Sequence, residues 1–283
     1  ILGSSSWRVI SIRRNRVIVE DVYGQAPTIP FWMGERDSRT FDLAMSVGHF
    51  RREMEIHIDE GDEIGWLMKE YHLDENCAET ISEYFREQKH ITSELPSNKL
   101  VIVEHFNDEL GHQQIAVHSS FGIRVNDTWA MALCQAIEEI HGFRPQDATV
   151  DDGILITLPK GKRVDPERLL ELVTIDNVEN LLDVAIPNSP VFSSRFRHNA
   201  VRALLVLREY RGRRTPVWLQ NLRASDLQAA CLNDRDFPLI AETFRECANE
   251  AYDVPNLRRV LSGLKSGEIG AKTLGTKIPS PFL

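Results

Sequence analysis

Three pairs of β-branched runs, each pair joined by a short polar turn, all lie before residue 162, and no comparable signal follows. WRVISIRRNRVIVEDVY (residues 7–23) alternates about Arg-Arg-Asn-Arg. NKLVIVEHFNDELGHQQIAVHSS does so about a loop from Asn107 to Gly111, and ATVDDGILITLP about Asp151-Asp152-Gly153. Runs joined this closely predict antiparallel hairpins. Between them apolar residues recur at helical spacing: Phe41, Met45, Phe50 and Met54 follow Ser38, a candidate cap. Two more helices are expected near 62–72 and 75–89, the second capped by Asp74, and FGIRVNDTWAMALCQAIEEIHG predicts a helix stopped by Gly142.

From Asp165 onward the pattern is one of short amphipathic helices, broken at IPNSP, GRRTP, RDFP and DVP. The expected fold class is therefore α+β. A hairpin-built antiparallel or mixed sheet, open or barrel-like, carries packed helices and is followed by a helical C-terminal half. The division is placed as 1–162, strand-bearing, and 163–283, a helical subdomain packed on it, with one composite domain as an equal alternative.

At 283 residues the chain can bury a sizeable core. No run approaches the roughly 18 apolar residues of a membrane helix. The chain opens Ile-Leu-Gly without a targeting segment, and is read as a fragment of a longer, cytoplasmic protein. Cys77, Cys134, Cys231 and Cys247 are too widely spaced for a zinc ribbon and are expected as reduced core thiols. A net charge of −9 excludes a uniformly basic coat but leaves room for a local basic groove.

Little here resembles a catalytic constellation. SGEIGAKTLG (266–275) lacks the Gly-Lys pair and the preceding strand of a P-loop, and reads as a helix end with a polar tail. Asp151-Asp152-Gly153 supplies two carboxylates but no further acid nearby, which favours turn chemistry over a metal pair. His105, His112 and His118 flank one hairpin, and His105 is placed opposite either of the others, without a third ligand. No catalytic residue and no metal site is assigned, and an independent nuclease or base-excision activity is the remotest reading.

Arginine is more informative. Residues 193–214 hold seven arginines (195, 197, 202, 208, 211, 213 and 214), one acid, Glu209, and no lysine. A helix through this segment would bury Ala203, Leu204, Leu205 and Leu207 and present Arg197 and Arg208 on one face. The planar guanidinium grips phosphate in two places, so phosphate binding stands level with a solvated, salt-bridged face. Among the tryptophans, Trp66 and Trp129 read as core, and Trp7 and Trp218 as core anchors. Trp32 lies in TIPFWMGERDSRT, after a proline-bounded loop and beside Arg36 and Arg39. An indole there either packs or stacks on a base, and local sequence alone favours packing.

LGSSSWRV, IPFWMGERDSRT, HSSFGIRVND, VENLLDVAIPNSPVFSSRFRHNAVRALLVLREYRGRRTPVWLQNLRASDL, FPLIAETFRECANEAYDVPNL and GEIGAKTLGTKIPSPF together resemble the large helicase-related (Lhr) family of superfamily 2 helicases. The resemblance is to the helicase-associated region that follows the two motor domains and most of the winged-helix domain. It implies a parent that moves 3′ to 5′ on single-stranded DNA and unwinds DNA or RNA:DNA duplexes. ATP and Mg2+ would bind in motor domains outside this chain, and no cofactor is expected within it. The implied partners are single-stranded DNA or an RNA:DNA hybrid, and the motor and winged-helix domains. The implied role is strand guiding, with Trp32 matched by motif order to a base-stacking aromatic. Arg36, Arg39, Arg195, Arg197, Arg202, Arg213, Arg214, Gln220 and Arg223 are candidates for strand contacts or, in the GRRTPVWLQNLR stretch, for structure. The rival is a module that docks on the motor or a partner and never touches the strand.

Overall fold

The computed structural model describes residues 7–13, 16–21 and 38–283. The chain divides into two compact units, residues 1–37 and residues 38–283. In the first, β1 (Trp7–Arg13) and β2 (Arg16–Asp21) form the expected antiparallel hairpin, with a bulge between Val9 and Ser11.

The second unit opens with three helices. α1 (Phe41–Glu60) is capped by Thr40, two residues beyond Ser38, whose hydroxyl accepts from the Leu43 amide at 3.3 Å. α2 (Glu63–Glu70) precedes α3 (Glu75–Thr92), where Asp74 accepts from the Cys77 amide at 2.9 Å. The three helices enclose a small core of Met54, Leu67, Ala78, Phe85 and Leu95, with Phe50 stacked on Trp66 at 5.7 Å.

A five-stranded sheet follows, built from β3 (Leu100–Asn107), β4 (Gln113–His118), β5 (Gln146–Val150), β6 (Gly153–Thr157) and, late in the chain, β9 (Gly270–Gly275). Its order is β5-β6-β4-β3-β9, so the sheet is open, with β5 and β9 at its edges. The two hairpins pair as their turns predict, and every residue of the central β4 is buried. α4 (Ile123–His141) ends at Gly142 in the left-handed region (φ 70°). It shares one core with the sheet: Trp129, Leu133 and Ile137 pack with Val101, Val103, Ile115, Val117, Ile154 and Ile156.

The helical part contributes to the same core. After a 3-10 turn (Pro166–Leu172) come α5 (Val178–Ala185), α6 (Pro190–Arg202), a two-residue ribbon β7 (Glu209–Tyr210) and β8 (Arg213–Arg214), and α7 (Val217–Cys231). α8 (Pro238–Glu246), a π turn (Cys247–Ala251) and α9 (Val254–Ser266) complete it. Phe192, Phe196, Leu257 and Leu261 join Trp129 in one cluster. Prolines stand in the first turn of α6, α8 and α9, as the breaks predict. All four cysteines are free, but Cys77 is exposed rather than a core thiol.

The tail is the largest departure from expectation. GAKTLG is not polar coil but β9, running parallel to β3 from Leu100↔Gly270 to His105↔Gly275. The turn that launches it needs Gly267 (φ 78°), and Ile269 then packs where a side chain at Gly263 would stand, 2.7 Å from its Cδ1. Beyond β9 the chain crosses the second face of the sheet. There the fully buried Glu104 carboxylate accepts from Thr276 Oγ1 (2.7 Å), Ser280 Oγ (2.6 Å), the Ser280 amide (3.0 Å) and His118 Nε2 (2.8 Å). Phe282 then reaches the small helical core, edge-on to Phe85 at 5.3 Å and beneath the Arg51 guanidinium at 4.9 Å. The closing residues thus staple the sheet to α1 and α3.

Candidate nucleic-acid interface

The candidate residues fall in two clusters: the turn that holds residues 38–40, and the arginine-rich stretch around α6 and α7. Trp32 and Arg36 lie outside the described residues, as does the side chain of Trp7.

Arg39 forks onto Asp152, with Nη1–Oδ1 at 2.7 Å and Nη2–Oδ2 at 2.8 Å. Arg51, from α1, donates to the same carboxylate at 2.7 Å and to Ser120 Oγ at 2.8 Å. Burial alone would raise the Asp152 carboxyl, but the Arg39 hydrogen bond and the charges of Arg51 and Arg39 hold it below its ordinary range. Burial pulls Arg51 below its ordinary value, whereas the Asp152 hydrogen bond raises Arg39. Asp151 accepts from the Arg39 and Ile123 amides at 3.2 and 3.0 Å. The Asp-Asp-Gly turn therefore spends its acids on arginines and amides.

The FGIRVN motif serves this junction. Gly122 sits at φ 89°, and a Cβ there would stand 3.1 Å from the Arg39 carbonyl oxygen. Fully buried Asn126 donates to the carbonyls of Ser119 (3.0 Å) and Val150 (2.8 Å) and accepts from Ser119 Oγ at 2.7 Å. Arg124 donates to the carbonyls of Asn249 (2.7 Å) and Tyr252 (2.9 Å), tying in the π turn. Neither Arg51 nor Asn126 stands out in the sequence; the hint was a glycine immediately ahead of a helix with an asparagine in its first turn.

The histidines of the β3–β4 hairpin do not converge. His105 stands opposite Ile115, His112 Nδ1 meets Asp108 at 2.9 Å, and His118 meets Glu104. His57 contacts Asp62 at 2.7 Å and stacks on Trp66 at 4.4 Å.

α6 is shorter than the arginine spacing implied. It ends at Arg202, and Leu204 takes φ 60°, so Arg197 and Arg208 do not share a helical face. Two of the leucines that a longer helix would bury are out: Leu204 is 74% exposed and Leu205 53%, whereas Leu207 is half-buried and Val206 buried. Trp218 is likewise 67% exposed on the first turn of α7, not a core anchor.

The candidate arginines fall into two sets. Arg195 meets Glu250 at 3.0 Å, Arg197 meets Asn221 at 3.0 Å, and Arg202 meets Glu246 at 3.2 Å. Arg208, Arg213, Arg214 and Arg223 are exposed and have no ion-pair partner among the described residues. Gln220 is buried and donates to the Thr215 carbonyl at 2.8 Å, which makes it a structural residue. The His198 imidazole is pulled below its ordinary value, first by burial and then by the charges of Arg197, Arg202, Arg208 and Arg195. Four arginines thus impose a positive potential on one site, within a chain of net charge −9.

Residues 38–283 thus form an open α+β sheet stapled to helical layers, with exposed arginines on and around the β7–β8 ribbon and no assembled catalytic group among the described residues. The chain belongs to the DEAD/H associated family, whose model matches residues 95–283. Across its whole length it is similar to Lhr helicases. It is 34% identical over 282 residues to the Lhr helicase/uracil glycosylase of Escherichia coli, covering 99% of this chain and 18% of that protein. It is 35% identical over 288 residues to the ATP-dependent helicase Lhr-Core of Methanothermobacter thermautotrophicus, covering 100% and 33% respectively. The solved structure of Mycobacterium smegmatis helicase Lhr bound to ssDNA and AMP-PNP superposes with a TM-score of 0.77 at 31% identity, over 92% of this chain and 33% of that one. The chain spans no more than a third of the length of these relatives. Among the described residues no helix is long and apolar enough to cross a membrane.

Proposed function

We propose that this chain is the strand-guiding accessory region of an Lhr-type, ATP-dependent 3′–5′ helicase. It holds the tracked single strand of a DNA or RNA:DNA duplex by base stacking on Trp32 and by phosphate contacts. Arg36, Arg197, Arg213, Arg214 and Arg223 supply the guanidinium groups, Arg195 and Arg202 add positive potential from their places on Glu250 and Glu246, Arg39 is held on Asp152, and Gln220 holds the Thr215 turn. ATP and Mg2+ belong to the motor. GAKTLG is strand β9, with Lys272 engaged by Glu94 at 2.6 Å, so the residues here do not fit a nucleotide site. The observation that carries the reading is the set of exposed arginines lacking acidic partners in an otherwise acidic chain. A motor must grip without reading sequence, and stacking with phosphate contacts does that.

The isolated chain should bind a labelled single strand with micromolar or weaker affinity at physiological salt, and log affinity should fall steeply and linearly with log salt. Absence of any salt-sensitive binding at high protein concentration removes the reading. Joined to its motor, Trp32→Ala should lose unwinding while keeping ATP hydrolysis. Normal unwinding would favour a docking module instead.

A further inference from the structure

We propose that Trp218 is a second stacking position for the same single strand. It stands exposed on the first turn of α7, which is tied to the β7–β8 ribbon through Thr215 and to α6 through Arg197. The inference rests on the strand-guiding reading above and adds a site to it.

Trp218 and Leu222 lie one helical turn apart, 67% and 52% exposed, on the face of α7 opposite the buried Gln220 and Ala224. Asn221, on that same face, accepts from Arg197 Nη1 at 3.0 Å, which brings a guanidinium from α6 beside the indole's helix face. The ribbon is locked to the start of α7 through Thr215. Its amide donates to the Arg208 carbonyl at 2.8 Å, and its carbonyl accepts from Gln220 at 2.8 Å. Arg213 and Arg214 are therefore fixed just ahead of the indole rather than carried on a free loop. Tyr210, opposite Arg213 in the ribbon, is 57% exposed and lies under the Arg211 guanidinium at 5.2 Å. Leu204 holds a left-handed backbone (φ 60°), unusual for a leucine, with its side chain in solvent.

A large exposed apolar surface marks an interaction site. Charge decides what occupies this one. Arg208, Arg213, Arg214 and Arg223 lack ion-pair partners among the described residues, and between Ser193 and Arg214 the only acid is Glu209. Exposed rings interleaved with unpaired guanidinium groups complement a polyanion with flat apolar faces. An indole can stack only on an unpaired base, so the polyanion is single-stranded.

The test uses the 283-residue chain with a labelled oligothymidylate and with a strand carrying 5-iodouracil. Trp218→Ala should weaken binding roughly 5- to 50-fold, and Trp218→Phe should keep most of the affinity. Photo-crosslinking and peptide mapping should place an adduct on Trp218 or Tyr210. Unchanged affinity in Trp218→Ala alongside weakened binding in Trp32→Ala overturns this inference and leaves the strand-guiding reading standing. No effect of either variant, with binding insensitive to salt, overturns both. Adducts confined to segments outside residues 204–223 also overturn it. So does intact strand affinity when Trp218→Ala abolishes unwinding in the motor-joined polypeptide, which would make the surface a protein dock.

Discussion

Asp152 accepts hydrogen bonds from two arginines that start on different parts of the chain, and among the described residues Arg51 has no other carboxylate within ion-pair distance. Asp152→Asn keeps the shape and removes the charge, leaving Arg51, 8% exposed, without its counter-ion. Breaking a buried pair costs about 3–5 kcal/mol, and since the Asp152 side chain is 23% exposed the expected loss is nearer 2 kcal/mol. Urea denaturation measures it, and hydrogen exchange should show residues 38–41 losing protection before the sheet does. An unchanged midpoint would mean that the arginine fork holds nothing. Most of this junction was not legible in advance. The Asp-Asp-Gly turn was, because turn chemistry is local, but its partners lie more than 90 residues away in the sequence and neither Arg39 nor Arg51 advertises them. The basic segment shows the same limit. Counting arginines finds a positive region, yet only the folded chain separates Arg195 and Arg202, which have acidic partners, from Arg213, Arg214 and Arg223.

Among the elements, α1 shows how close packing replaces periodicity as the constraint. A Cβ on Gly48 would lie 2.5 Å from the Asn98 amide nitrogen, so helix and backbone meet with no room for a methyl group. Gly48→Ala should destabilise the fold by about 1–3 kcal/mol despite alanine's better helix propensity, because the obstacle is backbone and cannot rotate away. A thermal melt that rises instead of falling would contradict this. The elements themselves divide by locality. Hairpins β3–β4 and β5–β6 were legible because each strand's partner is the next run along. β9 was not, because GAKTLG holds two glycines and a lysine, sits at an edge and pairs in parallel with a strand far back in the sequence, Leu100 opposite Gly270. The end of α6 was misread for the opposite reason. Ala203, Leu204, Leu205 and Leu207 look like a buried helical stripe, and nothing local announces the left-handed turn at Leu204 that delivers Ala203, Leu204 and Leu205 to solvent while Leu207 stays half-buried.

For the whole molecule, the acid limb of the stability curve is set by carboxylates that knit distant segments. Burial would raise Glu104, but hydrogen bonds from His118, Ser280 and Thr276 hold it below its ordinary value, and Asp152 is lowered by its arginines. Asp108 is lowered to about 2 by His112 and Gln114, against desolvation, while Glu55 is raised, chiefly by burial. A carboxyl whose folded pKa is depressed binds fewer protons in the folded than in the unfolded state. Its stabilisation is complete above the unfolded pKa and drains away as pH falls through the folded one. Stability should therefore be nearly flat above about pH 7, begin to fall near pH 6.5 as the unfolded form of the depressed His198 takes up its proton, and decline further below about pH 5, with Glu55 offsetting part of the fall. Glu104→Gln gives the assignment its test. The amide places N–H groups against donors from the tail and cannot receive all of them, so the pH 7 plateau should drop by about 2–3 kcal/mol. The variant has also lost a titrating group, so its difference in stability between pH 7 and pH 4 should be smaller than that of the parent chain. A lower plateau with an undiminished difference would leave Glu104 as packing alone and move the acid limb to Asp152 and Asp108. A smaller difference ties acid unfolding to the release of Thr276 and Ser280, the residues through which the closing segment staples the sheet to α1 and α3.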